Sequence, residues 1–201
     1  MGVWLSVMVN NFRPLGISDQ DIGLMGFFSV LSQCFCAIVI GFFTDRFDYR
    51  MFDTLNLLAV VWRLKQHMKM ILLLLLAMAT ICFVWLMLMC LQMMPHTLGY
   101  LYAAVILATS INFCCCPLFF EMSVEIAYPV NESLVGGFLT ACGNFTGIIF
   151  LLIFFIPNLG FVWTNYALVG STALAIPAVM MIKETYNRTN VDIVALNTNS
   201  W

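Results

Sequence analysis

Apolar side chains fill three long intervals of this sequence, and charged residues are gathered into the short stretches between them. Ile22 to Thr44, Met70 to Phe120 and Ser133 to Ile182 carry no Asp, Glu, Lys or Arg. About 20 apolar residues cross a hydrocarbon core of roughly 30 Å, so the first interval is one spanning helix and the other two are each long enough for two. Pro95-His96-Thr97 with Gly99 breaks the second interval, and Pro157-Asn158-Leu159-Gly160 breaks the third. The pattern predicts transmembrane helices over 21–44, 70–94, 98–122, 134–156 and 160–182. A loop over 45–69 and a tail over 183–201 hold most of the charge. Residues 1–12 are apolar but too short to span, and read as the end of a partial transmembrane helix. Pro14 and Gly16 break it, and Ser18 or Asp19 can cap the next helix.

Composition agrees with this division. At 63% hydrophobic, 9% charged and a mean hydropathy of +0.99, the chain has too few polar groups to cover a soluble domain. It is an all-α polytopic membrane protein whose first partner is the lipid bilayer, and its net charge of −2 gives no ground for nucleic-acid binding. Cation placement orients it. Arg46, Arg50, Arg63, Lys65 and Lys69 lie in one loop, and four helices separate them from Lys183 and Arg188 in the tail. Parity puts both groups on one face, which the positive-inside rule names cytosolic. Only Arg13 lies opposite.

The eight cysteines all fall within apolar spans, so a disulfide framework is not expected, and the Cys114-Cys115-Cys116 run lacks the spacing of a zinc site. No metal and no cofactor is called for. The sequons at Asn131 and Asn187 lie on the predicted cytosolic side and are expected to stay unmodified. No Ser/His/acid grouping occurs, and His67 and His96 fall on opposite faces, which argues against an enzyme.

Candidate functional residues are therefore the polar groups placed at a cost inside the spans. Glu121 and Glu125 share one helical face at i, i+4, and acids beside lipid are functional candidates by default. Glu121 lies roughly 36 Å below the preceding turn, which takes it to the cytosolic interface and suits gating or proton coupling better than central binding. Asn112 lies roughly 22 Å below the same turn, and Asn144 about 15 Å into its helix, at the midplane. Asn144, Asn112 and Thr140 are the candidates for a central solute site. An interhelical hydrogen bond is the other reading of Asn144. Gly143 and Gly147 form a Gly-x-x-x-Gly face for close helix packing.

Two motifs carry a family resemblance. Gly41-Phe-Phe-Thr-Asp45-Arg46 resembles the Gly-x-x-x-Asp-Arg loop motif of the major facilitator superfamily, although Asp48 stands where that family usually has a second glycine. A solvated loop with ordinary flanking charges is the other reading. Phe119-Phe-Glu-Met-Ser-Val-Glu-Ile-Ala-Tyr-Pro129, Gly136 to Gly147 and Lys183-Glu-Thr-Tyr-Asn-Arg188 together resemble solute carrier family 49, closest to its lysosomal branch, called disrupted in renal carcinoma protein 2. The resemblance implies the C-terminal six-helix half of a twelve-helix carrier, first helix truncated, with a missing N-terminal transporter half as partner. It implies that Gly41, Asp45, Arg46 and Arg50 form a conformational loop motif. It implies proton-coupled transport of a small organic solute, a pyridoxine-like metabolite, in the lysosomal membrane. Alternatives are choline or haem transport as in the sister branch, a plasma-membrane location, or a non-transporting half that only associates with membrane partners. Between Phe47 and Lys69 the family pattern lapses, so this stretch is an insertion or an interfacial helix.

Overall fold

Pro14 fixes its own φ and Gly16 takes a left-handed φ of 76°, so a short 3-10 turn, Arg13–Leu15, reverses the chain after a helical segment at 8–12. The computed structural model describes residues 8–49, 68–94, 97–156 and 160–182, with backbone alone at 40–49 and 68. Ser18 starts the first long helix, α1 (Asp19–Tyr49). Its hydroxyl oxygen accepts from the Asp21 amide at 3.2 Å and its proton goes to the Asp21 carboxylate at 2.7 Å, a reciprocal cap. Arg13 pairs with Asp19 at 2.9 Å, but both side chains are 64% exposed, so the pair contributes little.

Helices α2 (Met68–Cys90), α3 (Leu98–Ala127), α4 (Glu132–Leu152) and α5 (Trp163–Met181) follow, and a 3-10 turn, Ile153–Phe155, extends α4. Five helices are long and apolar enough to cross a membrane, and no strand occurs among the described residues. The chain is an all-α polytopic membrane protein. Helix α1 runs to Tyr49 and α3 to Ala127, beyond the ends at 44 and 122 that charge had marked. Charge marks where hydrocarbon gives way to the interface, and backbone hydrogen bonding continues past that boundary.

Helix α3 is the centre, packed against α1 on one side and α2 on the other, with α5 against α2. Odd-numbered helices run from the Arg13 end to the Lys69 end, and α2 and α4 run back. One core cluster near the Arg13 end joins Phe12, Ile22, Met25, Phe83, Met89 and Leu101. A second, toward the other end, joins Leu72, Leu76, Cys115 and Val179. On α2 the buried positions Leu72, Leu76, Ala79, Phe83, Leu86 and Met89 make a stripe at helical spacing, while Met70, Leu74, Met78 and Ile81 are exposed. All ten are apolar, because lipid and protein interior accept the same side chains.

Polar contacts fasten both ends of the bundle. Near Arg13, Asn11 donates to Thr164 Oγ1 at 2.9 Å and accepts from Asn165 Nδ2 at 3.3 Å, tying segment 8–12 to the start of α5. All three residues are buried. At the opposite end Lys69 Nζ donates to the carbonyls of Met180 at 3.0 Å and Ile182 at 2.7 Å, joining the start of α2 to the end of α5.

Candidate functional site

The side chains that could meet a solute sit near the middle of the long helices. Ser32 on α1 and Ser110 on α3 share a hydrogen bond of 2.7 Å. Ser32 lies 13 residues into α1 and Ser110 lies 12 residues into α3, or roughly 18–20 Å from the Arg13 end. Small hydroxyl residues at this crossing let the two parallel helices approach closely. One turn further along each helix Cys36 and Cys114 lie beside one another, within reach of a thiol–thiol hydrogen bond. Both are free thiols.

Asn112 is half-buried, two residues past Ser110. By spacing it falls between Ala108, in the core cluster at the Arg13 end, and Cys115, in the other. Asn144 and Thr140 are exposed on α4, a helix with no buried residue. The Thr140 hydroxyl donates to the Gly136 carbonyl at 2.8 Å, so toward any other group it offers only lone pairs. A Cβ built at Gly143 would meet nothing within 4 Å. Helix α4 nears α3 where Gly136 faces Phe120, whose ring lies 3.8 Å from a Cβ built on that glycine. Among the described residues no hydrogen bond joins Asn144 to Asn112.

The carboxylates stand apart from this level. Glu121 and Glu125 lie nine and thirteen residues past Asn112, or roughly 14 and 20 Å nearer the Lys69 end. Glu125 is only 5% exposed and Glu121 is half-buried, and both have interaction partners. Beside them a polar concavity of about 320 Å³ is lined by Val124, Tyr128 and the residues from Pro129 to Ser133. The exposed Asn131 accepts there from the Ser133 amide at 2.9 Å as the cap of α4. Gly41, Asp45 and Arg46 lie in the last turns of α1, where only the backbone is described, and Arg50 lies outside the described residues. The tail at 183–201 and most of the 45–69 stretch also lie outside them.

Sequence reasoning missed the Ser32–Ser110 pair, Gln33 beside it, and the Asn11–Thr164–Asn165 cluster. Equal depth on parallel helices was the available signal for the first two. The third had only weak signals, because polar residues beside a turn are ordinarily solvated.

No family model matches the chain. Over 195 residues, 94% of this chain, it is 30% identical to a protein named solute carrier family 49 member 4 homolog from Xenopus tropicalis. Over 193 residues, again 94% of the chain, it is 28% identical to the protein of that name from Xenopus laevis. The chain spans 39% of the length of each of these curated relatives, aligned with their C-terminal part.

Proposed function

Because the chain belongs to solute carrier family 49, we propose that it forms part of a secondary carrier that moves a small organic solute across a membrane. The observation that carries this reading is similarity over 94% of the chain to relatives bearing the solute-carrier name. It is supported by uncharged polar side chains at middle depth on α1, α3 and α4, the depth at which carriers of this architecture hold their cargo. In this reading Asn144 and Asn112 supply amide donors and acceptors to the solute, and Thr140 supplies an acceptor. The solute is a pyridoxine-like metabolite, whose hydroxyls and ring nitrogen match such groups, and the membrane is lysosomal.

Glu121 and Glu125 are the proton-coupling or gating pair. They stand one turn apart at the Lys69 end of α3, where a carboxylate can exchange protons with solution as the helix end opens and closes. Gly41, Asp45, Arg46 and Arg50 form the conformational motif at the end of α1 and beyond it. Helix α4 carries the contact with a second half-bundle, through Gly143 and Gly147. Its freedom from burial within this chain favours that role, and it equally favours a second reading in which the chain only associates with membrane partners.

Uptake of tritiated pyridoxine into vesicles, compared between the wild-type chain and Asn144→Ala at equal abundance, tests the site. Lower uptake in the variant is expected. Equal uptake would remove Asn144 from it. Membrane insertion and partner association without any uptake would favour the second reading.

A further inference from the structure

Polar side chains within α1 and α3 are gathered at one depth. Between Ile22 and Val39 the only side chains of α1 with nitrogen or oxygen are Ser29, Ser32 and Gln33. Between Ala103 and Phe120 those of α3 are Thr109, Ser110 and Asn112. The 2.7 Å contact of Ser32 with Ser110 sets the two groups level. Ser29 and Thr109 spend their protons on their own helices, on the Met25 carbonyl at 2.7 Å and the Val105 carbonyl at 2.8 Å. Gln33 does not close its bonding in this way. Its amide nitrogen is buried and has no hydrogen-bond partner among the described residues. A buried amide donor without an acceptor carries a standing cost, so this one is poised for an acceptor that arrives from elsewhere. The level holds no charge, and the nearest acid along α3, Glu121, lies roughly 14 Å away.

We propose that Gln33, with Ser32 and Ser110, forms a solute-contacting layer in which the Gln33 amide donates to an uncharged acceptor on the carried molecule: a hydroxyl, a carbonyl or a ring nitrogen. This rests on the carrier reading above and narrows its substrate class. Amides and hydroxyls without a charged partner select a neutral, hydrogen-bonding solute, because a fully charged one would stand in the membrane interior with no counter-charge.

The test is cysteine substitution in the full chain, reconstituted in liposomes and treated with a charged, water-soluble methanethiosulfonate reagent. Gln33→Cys is the probe, and Ser32→Cys is the second one should the first fail to fold. Ile81→Cys, at an exposed apolar position of α2, is the control, and the wild type reports its native cysteines. Labelling of the probes above both controls is expected, since a solute layer must open to water during the transport cycle. Labelling no greater than that of Ile81→Cys would overturn the layer. Pyridoxine added before the reagent separates the two readings. Protection supports both, whereas labelling without protection leaves the layer standing and removes pyridoxine as its occupant. Gln33→Leu is further expected to raise KM for uptake roughly fivefold at unchanged maximal rate, the loss of one neutral hydrogen bond. An unchanged KM would take Gln33 out of the layer.

Discussion

Lys69 stands at the wrong end of its own helix. As the second residue of α2 it adds positive charge where the helix already presents unpaired N–H groups and a positive dipole end. Its ammonium instead reaches α5, donating to the Met180 carbonyl at 3.0 Å and the Ile182 carbonyl at 2.7 Å, where unpaired C=O groups and the negative dipole end welcome it. Lys69→Met keeps the apolar stem and removes charge and donors together. Hydrogen bonds to a charged group contribute about 1.5–3 kcal/mol each, but these are partly exposed, so about 2 kcal/mol for the pair is the reasonable size. For a chain of this length that is a fall in Tm of roughly 4–8 °C. Thermal unfolding of the detergent-solubilised protein, followed by tryptophan fluorescence, reads it directly. Lys69→Arg, which keeps charge and donors, should recover most of the loss. A Lys69→Met protein that melts with the wild type would refute the clamp and leave Lys69 as an orienting charge alone.

Three further predictions concern the rest of the bundle. Asn11→Ala removes two buried hydrogen bonds and strands the Asn165 amide, so a loss of about 2–4 kcal/mol is expected in chemical unfolding, and an unchanged midpoint would show that segment 8–12 is not held by this cluster. The Ser32–Ser110 register places Cys36 against Cys114, so copper-phenanthroline should cross-link them. With a protease site placed between residues 50 and 67, the two fragments should stay joined without reductant in the wild type and in Cys34→Ser, and separate in Cys36→Ser; separation in the wild type would mean that the α1–α3 register is wrong. Gly143→Leu fills space that is open within this chain, so lower uptake at unchanged abundance is expected if a second half-bundle packs there. Equal uptake would place that face against lipid.

Charge-free intervals and Pro/Gly breaks were enough to read the number and type of helices from the sequence, because a spanning segment must exclude charge over a fixed length. The same signal misplaced the ends of α1 and α3, since charge reports the edge of hydrocarbon and the helices continue beyond it. The buried stripe of α2 was invisible: Leu72 faces protein and Leu74 faces outward, yet both are leucine. In water the polar face of a helix marks its exposed side, and in lipid that contrast disappears. Lys69 was read for the side of the membrane it marks, and its contact with α5 depends on two helix ends more than a hundred residues apart. The depths of Asn112 and Asn144 followed from counting at 1.5 Å per residue, whereas the hydroxyl pair at Ser32 and Ser110 needed the register between two helices, which no single stretch of sequence encodes.

The most direct test of the carrier reading is accumulation of tritiated pyridoxine in liposomes that contain the chain assembled with its second half-bundle, with and without an imposed pH gradient. Uptake above protein-free liposomes, raised by the gradient and lowered in Glu121→Gln and Glu125→Gln, is the expected result. Uptake equal to that of protein-free liposomes, with and without the gradient, would contradict it.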